Sequence, residues 1–190
     1  VARDSGQTKR RLLAAAKTEF ARYGIAGARI DRIANEAQTN KQMIYAYFGN
    51  KDDLFDRVFS DCVAHSLDEV DFDARDLPAY AGRLFDRFDA DPDSLRLSTW
   101  YRLERPRGKS LEAVIAINEL RLERLRAAQA DGSIPGRFDP VQLLALVQSI
   151  ATSWATMNPE FSADAAPDRD YRRETVVSAV AQLLQPSTSG

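Results

Sequence analysis

A chain of 190 residues can bury a sizeable core, enough for one large domain or for a small domain attached to a larger one. Its 44% hydrophobic and 28% charged residues are ordinary for a soluble globular protein, and no apolar run approaches the roughly 18 to 20 residues needed to cross a bilayer. The net charge of −2 hides an asymmetry: residues 1–51 hold ten Lys or Arg against four Asp or Glu, and the remainder sixteen against twenty-four. A basic block joined to an acidic one points to an anionic partner for the first part only, because phosphate attraction acts over about a Debye length; a solvated basic face is the alternative. No secretory leader pattern opens the chain and the single cysteine, Cys62, has no internal disulfide partner, so the expected compartment is the cytoplasm.

Helical periodicity with good start and stop residues recurs along the chain and strand signals are nearly absent, which predicts an all-α protein of about nine helices. The first runs about Thr8 to Tyr23, with Leu12, Leu13, Ala16 and Phe20 on one stripe and Gly24 at a left-handed stop. Short helices follow over about Ile30 to Ala37 and Lys41 to Phe48, the latter capped by Asn40 and ended by Gly49. Asn50, with Asp53 three residues on, caps a fourth helix from Lys51 to roughly Val70. After the acidic break at 71–76 come Leu77 to Ala90 and, behind Asp91 and Pro92, a helix to about Arg105. A long helix from about Leu111 to Ala130 stops at Gly132. Asp139 and Pro140 then start a helix to about Met157, and a last one spans about Asp168 to Gln185. The expected organisation is a compact N-terminal unit over 1–50, a larger helical part over 51–185 and a polar tail over 186–190.

The second and third helices, joined by a brief turn, read as a helix-turn-helix whose second helix fits a major groove. Ile44 and Phe48 are four apart and apolar, so they should face inward with Ile33 and Phe20 as neighbours. Lys41, Gln42, Tyr45 and Ala46 are left for the outer face. Lys can donate to guanine and Gln can pair with adenine, which makes Lys41 and Gln42 the base-reading candidates; Tyr45 either joins them or packs. Tyr47 and Lys51 are the phosphate candidates, Lys51 combining its charge with the positive end of the fourth helix, and Arg29, Thr39 and Asn40 are weaker ones.

The run from Thr8 to Phe55 resembles the DNA-binding domain of the TetR family of bacterial transcriptional regulators. The matching features, in order, are Ala14, Phe20 and Gly24, then Ile33 and Ala34, then Lys41, then Ile44, Tyr45, Tyr47 and Phe48, then Lys51 and Leu54. Three departures stand out. Ala28 and Arg29 replace the hydroxyl residues that usually open the second helix. Gln38 replaces the usual glycine of the turn, and would have to accept a left-handed backbone at a cost of roughly 1 kcal/mol or adopt another turn geometry. Asn40 replaces the usual serine cap and is an equivalent solution.

The resemblance implies a DNA-binding domain over 1–50 and a regulatory domain over 51–185, with a double-stranded DNA operator, a homodimer and a small-molecule inducer captured by the C-terminal helices. Dimerisation also has independent support. Val141, Leu143, Leu144, Leu146, Val147, Ile150 and Trp154 surround more than one stripe of their helix, and Val176, Val177, Val180, Leu183 and Leu184 form a similarly broad face on the last. The expected four-helix interface uses Leu143, Val147, Ile150, Trp154, Val176, Val180 and Leu183. In the long helix Leu111, Ile115, Leu122 and Leu125 form a seam interrupted by Asn118, whose amide needs either neighbouring polar groups or a ligand. Phe59, Cys62, Trp100, Tyr101 and Asn118 are the candidate pocket residues, on the helices that enclose the cavity in similar proteins.

His65 lies three residues after Cys62, but no other Cys or His completes a thiol or zinc constellation, and no phosphate loop, HExxH or CxxC is present. Neither a metal, a cofactor nor an enzymatic activity is expected. The leading expectation is a ligand-responsive repressor. Its rivals are a DNA-binding regulator without a small ligand, acting as an activator or through a protein partner, and a helical-bundle enzyme or lipid carrier whose basic end is only a surface.

Overall fold

The structure is a computed structural model and describes residues 2–68, 70–104, 112–157 and 168–185. Among the described residues there are nine α-helices and no strand: α1 (Ala2–Gly27), α2 (Ile30–Glu36), α3 (Lys41–Phe48), α4 (Lys51–Asp68), α5 (Leu77–Ala90), α6 (Pro92–Glu104), α7 (Glu112–Ala130), α8 (Pro140–Thr156) and α9 (Arg169–Leu183). None is long and apolar enough to cross a membrane. Local chemistry sets the starts. Asn50 accepts from the Asp53 N–H while its own amide donates back to Asp53, and Asp139 forms a reciprocal box with Gln142 ahead of Pro140. Asp168 accepts from the Tyr171 N–H at the head of α9. The expected ends at Arg105 and start at Leu111 lie outside the described residues.

The helices group into two compact units. Among the described residues the first holds 2–65 with 91–104 and 112–113, and the second 66–68, 70–90, 114–157 and 168–185. α5 and α6 are consecutive in the chain yet belong to different units: α6 packs on α1, and α5 on α8 and α9.

In the first unit Leu12, Ala16, Phe20, Ile33, Ile44, Leu54 and Phe55 are wholly buried. An aromatic column runs through it: Phe20 meets Phe55 edge-on at 5.2 Å, Phe55 stacks on Phe59 at 6.3 Å, and Phe59 stacks on Tyr101 at 4.4 Å. α1 is interrupted at Gly24, where φ is +68° and ψ −176°. Such a break orphans a carbonyl on one side and N–H groups on the other, and α6 serves both. Arg96 Nε and Trp100 Nε1 donate to the Ala21 carbonyl at 3.0 and 3.2 Å, while the Glu104 carboxylate accepts from the Ile25 and Ala26 N–H groups at 2.9 and 3.2 Å. The three side chains are spaced by four and so share one face of α6.

The second unit is built on Leu77, Tyr80, Ala81, Leu84 and Phe85 of α5, Leu122 and Leu125 of α7, Leu143, Leu144, Val147 and Ala151 of α8, and Val176 and Val180 of α9. Gly82 lets α9 come close to α5: a Cβ there would lie 2.9 Å from the Arg173 guanidinium and 3.1 Å from Val177. An ionic seam reinforces that contact, with Arg169 and Arg173 on Asp86, and Arg169 and Arg172 on Asp89.

Two expectations change here. Leu143, Val147, Val176 and Val180 are at most 1% exposed and belong to this unit's own core, with Ile150 and Trp154 packed against it and Leu183 half-buried. Hydrophobic breadth at those four positions of α8 and α9 is therefore core, while Ile150, Trp154 and Leu183 of the expected interface keep part of their surface exposed. The α7 seam also shortens, because Ile115 is 48% exposed; burial begins with half-buried Asn118 and continues through Leu122 and Leu125. Leu111 lies outside the described residues.

Candidate nucleic-acid interface

The turn before α3 is held by the backbone: the Gln38 N–H donates to the Asn35 carbonyl and the Thr39 N–H to the Ala34 carbonyl, at 3.0 and 2.9 Å. Gln38 takes the left-handed conformation, φ +54°, and among the described residues it is the one non-glycine that does so. The turn geometry that glycine usually supplies is thus kept with a glutamine in place. Asn40 then caps α3, its Oδ1 accepting from the Met43 N–H at 3.0 Å. Ile44 is wholly buried and Phe48 half-buried, with the Lys9 ammonium 5.8 Å from the Phe48 ring centre.

With Ile44 turned inward, Lys41, Gln42, Tyr45 and Ala46 are all exposed, Tyr45 by 50%. Residues at i, i+1, i+4 and i+5 make one continuous outer strip, so the four base-reading candidates are brought together. Lys41 is ion-paired with Asp31 of α2, both more than half exposed, so this contact is solvent-screened and exchangeable.

The phosphate candidates differ from one another. Tyr47 is half-buried with its ring edge-on to Phe48 at 6.1 Å. The Lys51 ammonium donates to the Ala26 and Ala28 carbonyls at 3.4 and 3.3 Å, which fixes it at the α1–α2 connection, with Asp52 and Asp53 also in the first turn of α4. Thr39 is half-buried and Asn40 exposed. Arg29 occupies the N-cap position of α2, makes no side-chain cap there and is exposed.

Sequence reasoning missed what replaces the lost cap. Glu19, only 9% exposed, accepts from the Arg29 N–H and from Arg32 Nε, both at 2.8 Å, so a carboxylate on α1 holds the head of α2. That hydrogen bond, with the Glu19 charge, raises the Arg32 guanidinium further above its ordinary value. The guanidinium also lies 4.2 Å from the Tyr23 ring centre. The absence of a hydroxyl at residues 28 and 29 is the only local hint that α2 needs such help.

The five pocket candidates are not gathered within either unit. Phe59 and Tyr101 are stacked on each other, and the Trp100 indole is used on Ala21 and packs against Gly24. Cys62 is half-buried against the first unit's core, whereas Asn118 lies on α7 in the second. The His65 side chain lies outside the described residues. Among the described residues, no group of three or more His, Cys, Asp or Glu is arranged to hold a metal ion.

A capped helix presenting Lys, Gln and Tyr from a basic helix-turn-helix defines a DNA-binding transcriptional regulator. The family model described as "Bacterial regulatory proteins, tetR family" matches residues 12–58, and "Tetracyclin repressor-like, C-terminal domain" matches residues 76–182. The chain belongs to the TetR family. It is 40% identical to the HTH-type transcriptional repressor SCO4008 of Streptomyces coelicolor over 161 residues, 84% of this chain and 83% of that protein. The crystal structure of transcriptional regulator SCO4942 from the same organism superposes with a TM-score of 0.84 at 43% identity, covering 93% of this chain and 97% of that one. The fatty acid degradation regulator FadR of Bacillus halodurans shares the fold, with a TM-score of 0.64 at 22% identity over 93% of this chain and 97% of its own.

Proposed function

We infer that the chain is a homodimeric repressor that binds a palindromic operator and is released from it by a small molecule. The observation that carries the reading is the exposed outer strip of α3, made of Lys41, Gln42, Tyr45 and Ala46; on this reading Lys41 and Gln42 contact bases, flanked by Tyr45 and Ala46, and Arg29, Thr39, Asn40, Tyr47 and Lys51 meet the phosphates. The name of the SCO4008 relative supports repression. The division of labour falls near residue 50, with 1–50 on DNA and 51–185 serving pairing and ligand capture, even though α4 and α6 pack with the DNA-binding helices.

Pairing uses the outer sides of α8 and α9. Tyr171 and Val141 are each 58% exposed, and a groove of about 450 Å³ on α9 is lined by Tyr171, Glu174, Thr175, Ser178, Ala179 and Gln182. Small residues there admit close helix approach across a two-fold axis. An inducer acts by binding better to the form that does not fit DNA, and linkage then requires DNA to weaken inducer binding by the same factor. Mass measurement at micromolar concentration tests the assembly. The chain should run as a dimer and Ala179→Glu as a monomer that loses operator binding, whereas a monomeric parent chain with full operator binding overturns the reading.

A further inference from the structure

In α1 the inward stripe of Leu12, Leu13 and Ala16 continues toward the N-terminus at Lys9, three and four residues before the two leucines. Leu12 and Ala16 are wholly buried and Leu13 packs against the same core, so Lys9 puts a charge on a face that is otherwise apolar. Its side chain is half-buried, and its ammonium lies 5.8 Å from the ring centre of Phe48, the last residue of α3. Such an arrangement lays the aliphatic stem along apolar surface and keeps the ammonium at the edge. The other described lysines are committed within the protein. Lys17 is paired with Asp91 and Lys41 with Asp31, while Lys51 donates to the Ala26 and Ala28 carbonyls. Lys9 has an aromatic ring and, among the described residues, neither a carboxylate nor a carbonyl.

Phe48 comes three residues after Tyr45 and seven after Lys41, so the three share one side of α3, and Lys9 stands beside the edge of the outer strip. The major groove is about 12 Å wide and an α-helix fills it, so a cation flanking the helix meets the phosphate wall and not the base edges. A phosphate supplies the countercharge that Lys9 lacks, and the Phe48 ring holds the stem so that little side-chain freedom is lost on contact.

We propose that Lys9 of α1 is a further DNA contact, taking a backbone phosphate beside the C-terminal end of α3 and so fixing how that helix sits in the groove. The proposal rests on reading α3 as the helix that enters the major groove, and it extends the contact surface to α1. A contact of this kind strengthens binding to every sequence alike and carries no base information of its own.

Binding of the full chain to its selected operator and to an unrelated duplex, over roughly 50 to 200 mM salt, tests it. Lys9→Met keeps an unbranched apolar stem against Phe48 and removes the charge. It should weaken both duplexes by a similar factor, at least about tenfold near 0.1 M salt, and make the slope of log K against log salt shallower by about 2 for a dimer, one phosphate per subunit. Lys9→Arg should restore affinity to within about threefold, and Arg126→Met on the exposed face of α7 should leave affinity and slope unchanged. Single uncharged methylphosphonate links placed along the operator locate the contact: at least one position per half-site should weaken the parent chain several-fold and be without effect in Lys9→Met. Lys9→Gln takes the same measurements where Lys9→Met does not fold. Unchanged affinity in the uncharged variants, a loss with the salt slope unchanged, or the same methylphosphonate pattern in parent and variant overturns the proposal. A parent chain that binds neither duplex refutes the repressor reading and this inference together, whereas operator binding that Lys9→Met matches refutes this inference alone.

Discussion

Gln38 shows at single-residue scale how a family turn survives a departure from its usual sequence. Its φ of +54° places a side chain where glycine is normally used, because the Asn35 and Ala34 carbonyls fix the turn whichever residue occupies it. Gln38→Gly should therefore stabilise the chain by about 1 kcal/mol in denaturant unfolding with no change in DNA affinity, whereas destabilisation would show that the amide makes a contact of its own. Asp31 is the acid nearest the reading strip through its ion pair with Lys41. Asp31→Asn should tighten operator binding several-fold at low salt, since it removes a repulsive charge and frees the ammonium; weaker binding would mean that Asp31 aims Lys41. At this scale the α3 strip was legible, because the inward pull of Ile44 decides which neighbours face out. Glu19 was not, because its partners Arg29 and Arg32 lie ten and thirteen residues away on another helix.

Among the elements, the caps were readable and the joints were not. Asn40, Asn50, Asp139 and Asp168 act within three residues of themselves, so type and spacing suffice. The interruption of α1 depends on α6, some 75 to 79 residues on, and no local pattern links Arg96, Trp100 and Glu104 to Gly24. Trp100 read as a pocket residue for that reason. Gly24→Ala should cost at least about 2 kcal/mol, since its backbone lies in a region reserved for glycine and a Cβ would meet Glu104 at 2.5 Å and Trp100 at 2.9 Å. Thermal or denaturant unfolding checks this, and a neutral result would mean that α6 moves aside at no cost. In the turn after α7, hydrogen bonds from Ser133 and then Arg75 hold the Asp131 carboxyl down at about 2. A depressed carboxylate contributes stability that is fully present above its ordinary value of 3.8 and is lost as pH falls through about 2. Stability should accordingly fall between those limits, and Asp131→Asn should flatten that part of the profile.

For the molecule as a whole, the charge division and the all-helical plan were visible from composition and periodicity alone, because both are sums over many residues. Which side of α8 and α9 would meet a partner in the proposed dimer was not visible. Apolar residues announce burial without saying against what, and Leu143, Val147, Val176 and Val180 turned out to face their own core. The outer side of α9 carries Thr175, Ser178, Ala179 and Gln182, which composition does not distinguish from ordinary surface. Operator binding by two such chains is a claim about symmetry as well as chemistry: a two-fold dimer should place two copies of α3 in successive major grooves. Selection from random duplex DNA by the full chain at fixed salt, followed by mapping of the protected bases, measures this directly. The predicted result is an enriched inverted repeat with half-site centres one helical turn, about 34 to 36 Å, apart, relaxed at one symmetric pair of positions by Lys41→Ala. Enrichment of no sequence, or of a single unrepeated site, would contradict it.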